Sequence, residues 1–142
     1  MKVGHTGITW GIPGDVEQAI RDVSELGYLG YETFGRTVLE WNAQHGGFRQ
    51  LLERYDIPLA AAYCYNEWID PARSAQDIAE ALDEARALRD LGGQTLVVQG
   101  GRRPAGGYTR EQLVALADAL NEVGRRAGEI GVGVGVHPHT GT

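Results

Sequence analysis

The stretch GVGVGVHPHTGT, residues 131–142, decides between the folds open to this chain. In an extended strand Val132, Val134 and Val136 face one side, while Gly133, Gly135, His137 and His139 face the other. The valine side suits packing beneath helices. The glycine side leaves open space beside polar rings. A sheet covered by helices on both faces carries apolar bulk on both. This strand instead reads as one whose second face lines a cavity.

Upstream, short apolar segments alternate with helical ones. Residues 3–10 read as a first strand, followed by a turn at Pro13-Gly14. Asp15 caps the next helix, with Gln18 three residues on in a capping-box arrangement. Val16, Ala19, Ile20, Val23 and Leu26 share one face of that helix, and Gly27 ends it. Residues 29–34 read as the second strand, 36–47 as loop or broken helix, and 48–55 as a short helix. The third strand covers 57–65, entered through Pro58. Ser74 is placed to cap a helix with the stripe Ile78, Leu82, Ala85, Leu88 and Leu91, ended by Gly92-Gly93. Residues 95–99 read as the fourth strand and GGRRPAGG, 100–107, as a loop. Thr109 and Gln112 form a second capping box, ahead of a stripe of Leu113, Leu116, Ala117, Leu120 and Val123. The fifth strand covers 132–137.

Strands alternating with helices predict βα units and a parallel sheet, in one domain without a visible linker. The chain has 142 residues, 42% of them apolar, a globular composition. Its formal net charge of -6 repels phosphate backbones and argues against a nucleic-acid partner. No apolar run approaches the ~18 residues of a membrane helix, and the amino-terminal residues lack a signal-peptide core. The one cysteine, Cys64, reads as a structural thiol in a reducing compartment, so a cytoplasmic protein is expected.

Two architectures accommodate five parallel strands. A doubly wound, flavodoxin-like sheet fits the length and would make a small-ligand binding module. A (β/α)₈ barrel needs about 250 residues, so this chain would supply little more than half of one. Against the doubly wound sheet, no helix follows the last strand, and GITWGIPGD in the first βα turn lacks a GxGxxG phosphate loop.

GYLGYETFG, ALRDLGGQTLVVQGG and VGVGVHPHTGT, in that order, resemble the second-strand, third-helix to fourth-strand and fifth-strand segments of the sugar phosphate isomerase/epimerase superfamily. These are xylose-isomerase-like TIM barrels, and the nearest flavour is inosose dehydratase-like. The resemblance covers essentially the whole chain. It implies an α/β fold of parallel (β/α) units, here a partial barrel truncated after strand five. It also implies metal-assisted proton abstraction next to a carbonyl of a sugar or cyclitol: isomerisation, epimerisation or dehydration.

On this resemblance His137 occupies a position where the family often has a glutamate, and His139 that of the histidine that follows it. Both become candidate ligands for a divalent metal (Mn, Zn, Mg or Co), held weakly because strands six to eight are absent. His139 and Glu32 are the candidate catalytic residues; a salt bridge inside the barrel is the bland reading of Glu32. Trp10, Tyr65, Asn66 and Gln99 are candidate substrate contacts, since aromatic faces stack on sugars and amides bind hydroxyls. Tyr63 and Trp68 belong to the same aromatic group, for which core packing is an equal explanation. His5 reads as a satisfied core histidine, and Arg102 and Arg103 as an exposed loop. The isolated chain is expected to be inactive and, with open sheet edges, to form a homo-oligomer. The remaining alternative is a non-catalytic, self-assembling half-barrel.

Overall fold

The computed structural model describes residues 1–11 and 14–139. The Pro13 half of the first turn and residues 140–142 of the last motif lie outside the described residues. Five strands form one parallel sheet: β1 (His5–Thr6), β2 (Tyr31–Phe34), β3 (Leu59–Cys64), β4 (Thr95–Val98) and β5 (Gly133–Val136). The helices are α1 (Val16–Glu25), α2 (Gly35–His45), α3 (Phe48–Arg54), α4 (Ser74–Asp90) and α5 (Arg110–Glu129). The strand order is β1-β2-β3-β4-β5. A doubly wound sheet would place β1 inside the sheet, so the flavodoxin-like alternative is overturned. Right-handed crossovers in sequential order put every helix on the same side. The sheet therefore has a helix-covered face and an open inner face, as in part of a barrel.

The core lies between sheet and helices. Thr33, Ala62, Cys64, Leu96 and Val98 of the strands are buried, as are Ile20, Val23, Val38, Leu82, Leu88 and Val123 of the helices. The expected alternation of β5 is present: Val132 is buried and Val134 packs on the core, although Val136 is exposed. The strand ends are trimmed relative to the sequence reading. β1 is short because the chain turns at Gly7 into a 3₁₀ turn running to Trp10. Trp10 thus sits on a turn rather than at the end of a strand.

Capping follows the sequence at two helices. The Asp15 carboxylate accepts from Gln18 N at 2.8 Å, and both arms of the Thr109–Gln112 box are formed. At α4 the expected Ser74 cap is absent. Ser74 already lies inside the helix and donates its backbone N–H to Asp70 O. Leu26 is exposed rather than buried. On α5, Leu113 and Ala117 face outward, and the buried positions are Ala119, Val123 and Ala127.

The segment read as loop or broken helix is the regular helix α2. It carries the weak helix formers Gly35, Thr37, Val38, Trp41 and Asn42 and no side chain caps it, so the burial of Val38, the packing of α2 on α4 and the Trp41 ring beside Phe48 hold it. Tertiary burial overrides weak propensity here. The stripe of α4 also carries two acids that an apolar reading passes over, Asp77 and Glu84, both buried.

Candidate functional site

Register places the site. Phe34 pairs with Tyr63, Tyr63 with Val97, and Val97 with Gly135, a row across four strands. One step below runs Glu32, Ala61, Thr95 and Gly133. Paired residues share a face, and these face away from the buried row of Ala62, Leu96 and their neighbours. The two glycines leave the β5 end empty. Among the described residues, no heavy atom lies within 4 Å of a Cβ added at Gly135, and at Gly133 the nearest is Gln94 O at 3.6 Å.

Above this space the polar groups converge on one phenol. The Tyr63 hydroxyl donates to Gln99 Oε1 at 2.6 Å and lies 3.3 Å from His139 Nε2. A phenol has one proton. With it given to Gln99, the His139 contact requires an N–H at Nε2. The Tyr63 ring meets Phe34 edge-on at 5.4 Å and His137 at 6.1 Å, and the two imidazoles lie 4.6 Å apart. His137 is fixed through its backbone, which donates to Val98 O at 2.8 Å. Burial, then the Glu32 carboxylate below, pushes the Tyr63 hydroxyl above the usual phenol range. The phenol therefore stays protonated at neutral pH as a donor. Among the described residues, no hydrogen bond or ion pair engages the half-buried Glu32.

The rim is stitched from the β3–α4 and β4–α5 loops. Trp68 is fully buried and donates Nε1–H to Gln99 O at 2.6 Å. It does so from a left-handed backbone, φ 61°. That conformation costs about 1–2 kcal/mol. Burying a large apolar side chain gains roughly 1.5–3 kcal/mol, and the hydrogen bond about 1 kcal/mol more, so the anchor holds. Gly101, φ 83°, lets the second loop touch the first; a Cβ there would sit 2.6 Å from Glu67 O. Glu67 accepts from Arg102 N at 3.2 Å and from the Tyr65 hydroxyl at 3.2 Å. Gln99 is thus held by its carbonyl from Trp68 and by its side chain from Tyr63.

The candidate residues separate accordingly. Glu32, Gln99, His137 and His139 share the inner face or its rim. Tyr65 is at the rim, partly exposed, its hydroxyl on Glu67. Asn66 is buried, and its amide donates to Asp77 O at 3.0 Å, tying the loop to α4. That position suits a structural clamp, not a sugar contact. Trp10 donates to Asp22 Oδ2 at 2.9 Å and lines a cavity of about 20 Å³ with Tyr31, Thr33, Phe34 and Thr37. That volume holds roughly one water. A wider groove of about 520 Å³ lies on the outer layer between α2 and α4. His5 is half-buried against Trp10 and Tyr28, and Arg102 and Arg103 are exposed. Tyr63, the hub, stands in the sequence only as one of the aromatic group after the third strand; the slip between β2 and β3 that turns it to the inner face leaves no local signal.

No group of three or more His, Cys, Asp or Glu side chains converges among the described residues in a way that would hold a metal ion. The imidazole pair is less than the three or four protein ligands of a zinc site. The residues present do not fit a complete metal site.

A family model described as xylose isomerase-like TIM barrel matches residues 20–142. The rhizopine catabolism protein MocC of Rhizobium meliloti is 28% identical over 165 aligned residues, covering all of this chain and 48% of that protein. Among solved structures, the chain is similar to 3-keto-D-glucoside 4-epimerase, YcjR, of E. coli, with TM-score 0.76 and 19% identity over 96% of this chain and 55% of that one. It is also similar to the IOLI protein with a bound zinc atom (TM-score 0.78, 18% identity, 97% of this chain and 51% of that one). D-allulose 3-epimerase of Methylomonas sp. in complex with D-allulose gives TM-score 0.76 and 19% identity over 96% of this chain and 50% of that one. At these identities the structures show the shared fold. The chain spans about half the length of the proteins it matches.

Proposed function

The chain belongs to the xylose isomerase-like TIM barrel family, and from that premise we propose that its inner face is one side of a sugar or cyclitol site. The chemistry is that of an isomerase, epimerase or dehydratase, a proton taken next to a carbonyl. The observation that carries the reading is the Tyr63 hydroxyl, shared between Gln99 and His139 over a face that Gly133 and Gly135 leave open. Glu32, on that face with no hydrogen bond or ion pair among the described residues, is the base. Gln99 and His139 address hydroxyl or carbonyl oxygens, and Phe34 and Tyr65 offer aromatic surface to the ring. The solved relatives include sugar epimerases, one with D-allulose bound, which supports a sugar as the ligand class. The zinc atom of the IOLI structure supports a divalent ion in this family. Here His137 and His139 would meet such an ion with only two nitrogens, so binding by this chain is weak, and no step above runs through the ion.

The test is a titration of D-allulose and of an inosose against the chain, followed by NMR, with Glu32→Gln and His139→Ala alongside. Weak binding is expected, reduced in both variants, with negligible turnover. Binding that ignores both substitutions, or turnover that survives them, overturns the assignment.

A second reading is a non-catalytic half-barrel that pairs with itself. It is favoured by β1 and β5 standing at the two ends of the sheet. Such a pair would bring imidazoles from two copies together. In the described residues no helix is long and apolar enough to cross a membrane.

A further inference from the structure

Behind the inner face, on the helix side, lies a carboxyl that the proposed chemistry does not use. Glu84 of α4 is 3% exposed, and its Oε2 has no hydrogen-bond partner among the described residues. It sits against the first residue of α2. A Cβ added at Gly35 would come 2.5 Å from Glu84 Oε2 and 2.6 Å from Glu84 Cβ, so only glycine fits over it. Gly35 follows Phe34, the last residue of β2, whose ring leans edge-on against Tyr63. Cys64, next to Tyr63 on β3, is buried on the same side and interacts with Glu84. One carboxyl thus backs both strand ends that carry the aromatic pair of the site.

The start of α2 is also electrostatically incomplete. Phe34 offers no side-chain cap, and the first N–H groups of a helix, which have no intrahelical partner, carry its positive end. An ionised carboxylate beneath that end is drawn toward it; a neutral one is not. The charged and titratable groups facing Glu84 are Cys64 from β3, Arg36 from α2 and Glu80 from its own helix. Arg36 is paired with Glu80 at 3.3 Å.

We propose that Glu84 is a positioning residue for Tyr63, its ionisation setting the seat of α2 and, through the Phe34–Gly35 junction, the place of the phenol. The inference rests on reading the Tyr63 face as the ligand site. Burial is the main force on the carboxyl and raises it to about 7, so the change of state falls near neutral pH.

The experiment follows ¹³C-labelled tyrosine rings and glutamate carboxyls by NMR between pH 5 and 9. The background is His137→Ala, His139→Ala, so that no imidazole lies beside Tyr63, and Tyr63→Phe assigns the ring. The Tyr63 signals are expected to move with the same midpoint as the Glu84 carboxyl, and to become flat in Glu84→Gln. Gly35→Ala, pressing on the same contact, should displace the Tyr63 signals at every pH. A Tyr63 ring that ignores the Glu84 titration overturns the proposal, as does an inflection that survives Glu84→Gln. Should Glu84→Gln not fold, the shared or separate midpoints in the parent chain decide. No sugar is present in this measurement, so a failed sugar titration leaves it untouched and the two ideas fail separately.

Discussion

The Tyr63 hydroxyl and the Gln99 side chain meet at 2.6 Å across the ends of β3 and β4. Both partners are fixed from elsewhere. Tyr63 is set by its register between Phe34 and Val97. Gln99 is set by Trp68, which holds its carbonyl from the neighbouring loop. The pair therefore presents a pre-aimed amide and phenol, with His139 beside them, to whatever occupies the face opened by Gly133 and Gly135.

Filling that face separates stability from binding. Gly135→Val adds a side chain where no atom of the described residues lies within 4 Å. Removing a strand glycine for a β-branched residue should leave stability unchanged or raise it by up to about 1 kcal/mol. Sugar binding should fall by roughly tenfold or more, about 1.4 kcal/mol. Urea unfolding and ligand titration on one sample measure both. Undiminished binding would place the ligand elsewhere.

Metal binding should depend on the two imidazoles 4.6 Å apart. Calorimetric titration with zinc or manganese is expected to show weak binding, lost in the His137→Ala, His139→Ala double variant. Equal affinity in parent and variant removes the site.

Glu84 should write a pH dependence into stability. Burial raises its carboxyl from 4.5 to about 7. Between those values the folded chain keeps a proton that the unfolded chain has lost. Its contribution is full below the lower value, falls as pH rises toward about 7, and levels off above it. The loss is on the order of 3 kcal/mol. Urea midpoints of parent and Glu84→Gln, compared from pH 4.5 to 8, should diverge in this sense. Parallel curves would mean that the carboxyl is better solvated than its burial indicates.

Assembly is the last expectation. β1 and β5 stand at the two ends of the sheet with no further strand beside either among the described residues, and open edges recruit strands. Ile8 and Val136 are both half exposed. Sedimentation at micromolar concentration should show self-association, with a two-fold dimer the simplest form. A compact monomer would remove the half-barrel pairing.

Much of the fold was written locally. The period of the apolar residues set the alternation of strands and helices. The Asp15 cap and the Thr109–Gln112 capping box start α1 and α5 because cap and helix are adjacent in sequence, although Gln18 does not complete a box at α1. Gly133 and Gly135 revealed an open face because alternation within one strand is rigid. Between strands that logic stops. Leu59 is buried and pairs with Tyr31, and strict alternation from it would send Ala61 and Tyr63 to the core side. The register slips by one residue at Ala60, so Glu32 meets Ala61 and Tyr63 turns to the inner face. No local pattern encodes that slip; it arises where two strands 28 residues apart fit together. The strand order, the helix α2 built on weak propensity, and the contact of Glu84 with Gly35 are of the same kind. The sequence by itself determined the elements and one face of β5. Tertiary structure alone decided which side chains share the space above it, because packing between distant segments, not period, sets register and proximity.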